Sequence, residues 1–146
     1  MKESRGFSTI KLTGVSKEEA LKLIDSVSPI QRTNGYRAFE EHFIDSNEDA
    51  LFLLNKLISE KKLYPRLAIQ YTLAQGKENT VNVLIDNIKK AKCAKISASS
   101  KKQCYPLSRN LISRIIGCMD EQLFPCICEK IINLDDESTI ELVEGI

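Results

Sequence analysis

The chain predicts an all-α fold in which antiparallel helix pairs stack side by side. Apolar residues recur at intervals of three and four rather than two, and the four prolines and six glycines fall mostly where helix boundaries are wanted. The pattern also repeats along the chain, which bears on fold class more than any single helix does. At 146 residues, with 42% hydrophobic and 28% charged side chains, the composition is that of one globular domain. We therefore expect residues 1–146 to form a single helical-repeat domain.

The elements follow in order. Ser16 begins a capping box with Glu19, and Ala20, Leu21, Ile24 and Val27 then share a face until Ser28-Pro29 stops the helix. Asn34-Gly35 reads as a break, with a second helix from about Gly35 to Asp45 that aligns Tyr36, Phe39 and Phe43. Asn47 is placed to cap a third helix. Its apolar set, Ala50, Leu51, Phe52, Leu53, Leu54, Leu57 and Ile58, covers more than one stripe and so asks for neighbours on several sides.

Pro65 suits the first position of the next helix, which turns Leu67, Ala68, Tyr71 and Ala74 inward and ends near Gly76, read as a left-handed terminus. Asn79 is placed to cap its successor, where Val81, Leu84, Ile85 and Ile88 give the clearest amphipathic signal in the chain. The stretch from Ala91 to Cys104 has no apolar period and reads as an exposed basic loop. Three more helices are expected: one opened by Tyr105-Pro106 with Leu111, Ile112, Ile115 and Ile116; one with Phe124, Ile127, Cys128, Ile131 and Ile132; and a last with Ile140, Val143 and Ile146. Pro125 requires the second of these to begin near Leu123, because deeper in a helix it would remove a hydrogen bond.

Three helix pairs can be superposed. In the first helices Tyr36, Phe39 and Phe43 match Tyr64, Leu67 and Tyr71, then Tyr105, Ser108 and Ile112; in the second, Leu51, Leu54 and Ile58 match Val81, Leu84 and Ile88, then Phe124, Ile127 and Ile131. Tyr64-Pro65 recurs as Tyr105-Pro106, and Gly76 as Gly117. A helix, a short turn and an apolar second helix, with proline opening the first, resembles the HEAT or armadillo-like repeat family over roughly residues 35–133. The resemblance implies a short right-handed α-α superhelix. The step between the first two pairs, about 28–30 residues, is shorter than the family's usual 40–47. The apolar pattern of the last helix has no partner in the sequence, so the reading extends to the chain being the N-terminal part of a longer array.

Charge is segregated although the net is only +1. Residues 1–86 carry 12 acids and 12 bases, residues 87–119 carry 8 bases and no acid, and residues 120–146 carry 8 acids and one base. No run approaches the roughly 18 apolar residues of a membrane span, and the first dozen residues are too polar for a secretory signal. Five scattered cysteines do not suggest a disulfide framework. The expected location is cytoplasmic, with free thiols and no membrane partner.

Catalytic signals are weak. His42, beside Glu40 and Glu41, has no nucleophile pattern near it and reads as a surface or groove-edge histidine. Cys126 and Cys128 are one residue apart, not the two of a zinc knuckle, and read as core cysteines. The glycines are isolated, so no phosphate loop is present. We expect neither enzyme activity, nor a metal, nor a cofactor.

The expected function is a non-enzymatic scaffold that binds another protein or peptide along its groove, as a monomer or weak dimer. The partner-binding residues are expected to be Lys89, Lys90, Lys92, Lys95, Lys101, Lys102, Arg109 and Arg114, the block without a compensating acid. The same block supports the alternative of nucleic-acid binding. HEAT-like folds include DNA alkylation-repair glycosylases, but those are longer and use tryptophan-rich clefts, and this chain has no tryptophan.

Overall fold

A computed structural model describes residues 14–88 and 111–132. These contain seven α-helices and no strand: α1 (Lys17–Ile24), α2 (Pro29–Phe39), α3 (Asn47–Ser59), α4 (Leu63–Leu73), α5 (Glu78–Asp86), α6 (Leu111–Gly117) and α7 (Phe124–Ile132). Short 3-10 turns follow α2 at Glu40–His42 and precede α7 at Glu121–Leu123. The described residues fall into two compact units, the first from 14–44 and 60–72, the second from 45–59, 73–88 and 111–132.

In the first unit α1 opens as expected. Ser16 Oγ accepts from the Glu19 amide at 3.1 Å, and the Glu19 carboxylate accepts from the Ser16 amide at 3.3 Å. α1 packs closely on α2, burying Ala20 and Ile24 against the side that carries Tyr36 and Phe39. The two run antiparallel: Lys17, at the start of α1, lies over the ring of Phe39, and His42 beyond α2 reaches Val15.

Gly35 explains how the backbones come so near. A Cβ there would lie 2.7 Å from the Ile24 amide nitrogen and 2.9 Å from Leu23 Cβ, so only glycine admits this crossing. Asn34-Gly35 is therefore not a break but mid-helix. Ser28 caps α2 by accepting from the Gln31 amide, and Pro29 occupies its first turn, where a missing N–H costs nothing. Val27, expected on the inner face of α1, lies beyond its end and is 95% exposed.

α2 and α4 run parallel, tied near both ends. Arg32 forms a forked pair with Glu60, just before α4, through Nε to Oε1 at 2.9 Å and Nη2 to Oε2 at 3.0 Å. Its Nη1 also donates to the carbonyls of Ser26 and Val27, so all three of its nitrogens donate at once. Further along, the buried Arg37 guanidinium lies 5.2 Å from the centre of the Tyr71 ring. Tyr71 itself is 47% exposed, not turned inward as its spacing suggests.

The second unit is built on α3, α5 and α7. α3 packs on α5, and α5 on α7. Val81, Leu84, Ile85 and Ile88 of the α5 face are all buried, as are Leu54 and Ile127, their counterparts in α3 and α7. Each such side chain contributes about 1.5–3 kcal/mol relative to an exposed one. Polar ties give the directions. Asp45, which precedes α3, binds the first amides of α5. Lys77, at the start of α5, pairs with Asp120 ahead of α7, and Asp86 at its end pairs with Lys130. Start meets start between α3 and α5, which pack on each other, and both start and end meet between α5 and α7, so the three run parallel.

Several expected boundaries shift. Ser46 rather than Asn47 supplies the side-chain cap of α3, accepting from the Asp49 amide at 3.1 Å. Gly76 is not left-handed; the one described glycine with positive φ is Gly14. A side chain at Gly76 would instead collide with Thr80. Pro125 sits in the first turn of α7, as its chemistry requires. Tyr36 stands near the end of α2 and Tyr64 at the start of α4, so these tyrosines are not equivalent positions. The expected final helix over residues 135–146 and the basic loop lie outside the described residues.

Gly35→Ala tests the α1–α2 crossing. On an exposed helix this change gains about 1 kcal/mol from propensity; here we expect a net loss of about 1–3 kcal/mol, because Ile24 backbone blocks the new methyl. Urea unfolding followed by circular dichroism measures it.

Candidate protein-binding surface

Of the eight bases expected to form the site, seven, Lys89 to Arg109, lie outside the described residues. Arg114 lies on α6 and is exposed, while Leu111, Ile112, Ile115 and Ile116 of the same helix are buried. The described acids nearest in sequence turn to other bases: Asp120 to Lys77 at 3.5 Å and Asp86 to Lys130 at 3.4 Å.

His42 is half-buried, and its Nε2 sits 2.7 Å from the Val15 carbonyl. A carbonyl only accepts, so this nitrogen carries the proton and serves as a donor. The ring is thereby committed to holding the start of α1 against the end of α2. Among the described residues no three His, Cys, Asp or Glu side chains gather as a metal site.

The described cysteines, Cys118, Cys126 and Cys128, are free. Cys118 is exposed; Cys128 is exposed as well and Cys126 half-buried, which corrects the core placement expected of these last two. Partial burial pushes the Cys126 thiol up, and the nearby carboxylates of Glu78 and Glu129 add to it. Both effects favour the protonated thiol over the thiolate.

The N-terminus of α5 resembles an anion site but is already filled from within the chain. Asp45 Oδ1 accepts from the Lys77 and Thr80 amides, both at 2.9 Å, and from the Thr80 hydroxyl at 2.7 Å; Oδ2 accepts from the Asn79 amide at 3.1 Å. Asn79 returns a bond to the Asp45 carbonyl, so it ties the chain instead of capping its own helix. Partial burial works against ionisation of Asp45, yet the Thr80 hydroxyl and the three amides outweigh it and hold the carboxyl below its ordinary range. The helix dipole favours the same charged form.

In the first unit the buried polar groups act as ties between helices. The Glu60 bond dominates in raising the Arg32 pKa. Tyr36, beside this pair, is pushed well above the ordinary phenol range by burial, with the Glu60 charge adding to it. Glu60 also holds Arg66, whose Nη1 donates to its carbonyl at 2.7 Å.

One face stands out as uncommitted. On α7, Phe124, Cys128 and Ile132 are spaced i, i+4, i+8, so they line one stripe. Phe124 is 59% and Ile132 80% exposed, Cys128 is exposed, and Pro125 lies beside them in solvent. The inner side of the same helix buries Ile127. The spacing of Phe124, Ile127 and Ile131 suggested one core stripe, but Phe124 turns outward. The missed signal was apolar residues on nearly every side of α7, more than a single buried stripe needs.

No protein-family model, no curated protein and no solved structure matches this chain. The comparisons give the resemblance to HEAT-type repeats no support.

Replacing Asp45 with alanine removes the acceptor for the first turn of α5. We expect a loss of about 1–2 kcal/mol at neutral pH, the scale of a strong helix cap. Because the native carboxyl is held below its ordinary value, the native advantage is full above the unfolded value of about 3.9 and is lost as pH falls through the native one. Melts of both proteins between pH 7 and pH 2 should therefore converge at the acid end.

Proposed function

We propose that this chain is a non-enzymatic, HEAT-like scaffold that binds another protein through the surfaces its stacked helices leave open. The observation that carries this reading is the parallel succession α3, α5, α7, with Leu54, Leu84 and Ile127 buried at corresponding places. Parallel helices joined in sequence need returning segments between them, and α4 and α6 occupy those places in the chain. The parallel course of α2 and α4 fits the same scheme. Such arrays devote their apolar ridges to neighbouring units and recognise partners with what remains.

Polar chemistry points the same way. The His42 ring, the Asp45 carboxylate and the Arg32–Glu60 pair each hold one helix to another. No helix of the described residues is long and apolar enough to cross a membrane. We place the protein in the cytoplasm, where free thiols such as Cys118 and Cys128 persist.

The basic block keeps a second reading open to test, because Arg114 is exposed and residues 87–119, which include it, carry eight bases and no acid. Affinity for a DNA or RNA duplex is measured against salt. A scaffold for proteins has no measurable affinity at low ionic strength, while cross-linking in extract of the native host captures a protein in stoichiometric amount. If all eight bases engaged duplex phosphates, the log–log slope would be about −7, and Lys101→Glu with Lys102→Glu would reduce its magnitude by about 2. That outcome replaces the protein-binding reading with the nucleic-acid one.

A further inference from the structure

The scaffold reading leaves open where a partner docks and what it looks like. We infer that the outer face of α7 receives an amphipathic helix with basic margins, supplied by a partner protein; this rests on the scaffold reading and names its site and partner.

Geometry argues for a helix. Phe124, Cys128 and Ile132 form a straight apolar ridge two turns long, with Pro125 alongside. An amphipathic helix laid along such a ridge would meet it with its own apolar stripe, whose anchors recur at i, i+3, i+4 and i+7. α7 packs on α5 by its inner side, just as α5 packs on α3. A helix laid on the ridge would extend a packing mode the molecule already uses twice.

Charge argues for the sign. Among the described residues, the charged side chains exposed along this face are Glu121 and Glu129, both acidic. The one base of α7, Lys130, is drawn away to Asp86 on α5. An occupant with lysine or arginine beside its apolar stripe therefore meets two unneutralised carboxylates. A second copy would bring another acidic margin against this one. The chain's own residues 133–146 carry five acids and no base, the wrong sign for this surface, and its basic stretch from Ala91 to Cys104 has the right sign but no apolar period to meet the ridge.

The full-length protein is titrated by fluorescence anisotropy, at about 0.15 M salt, with two labelled peptides of ~18 residues, five helical turns. One sets leucines on one face and lysines on the other; its twin replaces lysine by glutamate. The basic peptide should bind and the acidic one should not. Ile132→Asp should weaken the basic peptide about tenfold or more, as loss of an apolar anchor does. Leu51→Asp, which adds the same charge at an exposed apolar position of α3, should change affinity less than about threefold. Glu121→Lys with Glu129→Lys should reverse the preference. Melting curves check that each variant folds.

Equal binding of both peptides, or equal loss in Ile132→Asp and Leu51→Asp, would overturn the assignment. So would a dimer in light scattering that dissociates on Ile132→Asp, since the occupant is then a second copy. Cys128 that labels at the rate of a buried thiol in the isolated protein overturns it too, because the chain then covers the face itself. A captured protein that still binds Ile132→Asp leaves the scaffold reading standing and removes this site. No capture at all removes both.

Discussion

The described helices are short, the longest having 13 residues, and isolated helices below about 12–15 residues are marginal in water. Each must therefore be held by what it packs on. In the second unit α5 meets this need most fully. Its apolar face is buried, Thr80 at its start is enclosed as well, and it touches α3, α6 and α7. The parallel course of these helices is a consequence of how they are tied, since burial alone does not distinguish parallel from antiparallel neighbours.

Direction comes from a few polar groups in chosen places. Asp45 lies before α3 but satisfies the orphan amides at the head of α5, so one carboxylate sets two helix starts side by side. Arg32 and Glu60 act similarly in the first unit, where a fork of two hydrogen bonds fixes the approach of α4 to α2. Surface pairs such as Lys77–Asp120 add little energy, but they mark the same register. His42, Asp45, Arg32 and Glu60 are thus consumed in alignment, and the functional reading rests on surfaces.

The uneven use of apolar residues gives α7 its role in that reading. Ile127 and Leu123 are spent on the interior, while Phe124, Cys128 and Ile132 remain outside. A helix that is apolar on both sides normally lies between two neighbours. Here the described structure places α5 on one side, and Glu121 and Glu129 border the other.

Much of the fold was legible in the residues themselves. Helical class, the Ser16–Glu19 capping box, the inward face of α5 and the place of Pro125 follow from local rules, because backbone capping and apolar spacing act within a few residues. Of the candidate surface, the apolar residues of α7 were visible but not the side each would take. Asn34-Gly35 looked like a turn, yet Gly35 is needed mid-helix because Ile24, eleven positions earlier, presses against it. Asn79 looked like a cap, yet the cap is Asp45. Which of Phe124 and Ile127 is buried, and which amide meets which carboxylate, depends on neighbours distant in sequence. Local spacing therefore determined that this chain forms helices and roughly where; tertiary contact alone decided their order of packing and which apolar residues of α7 stay exposed.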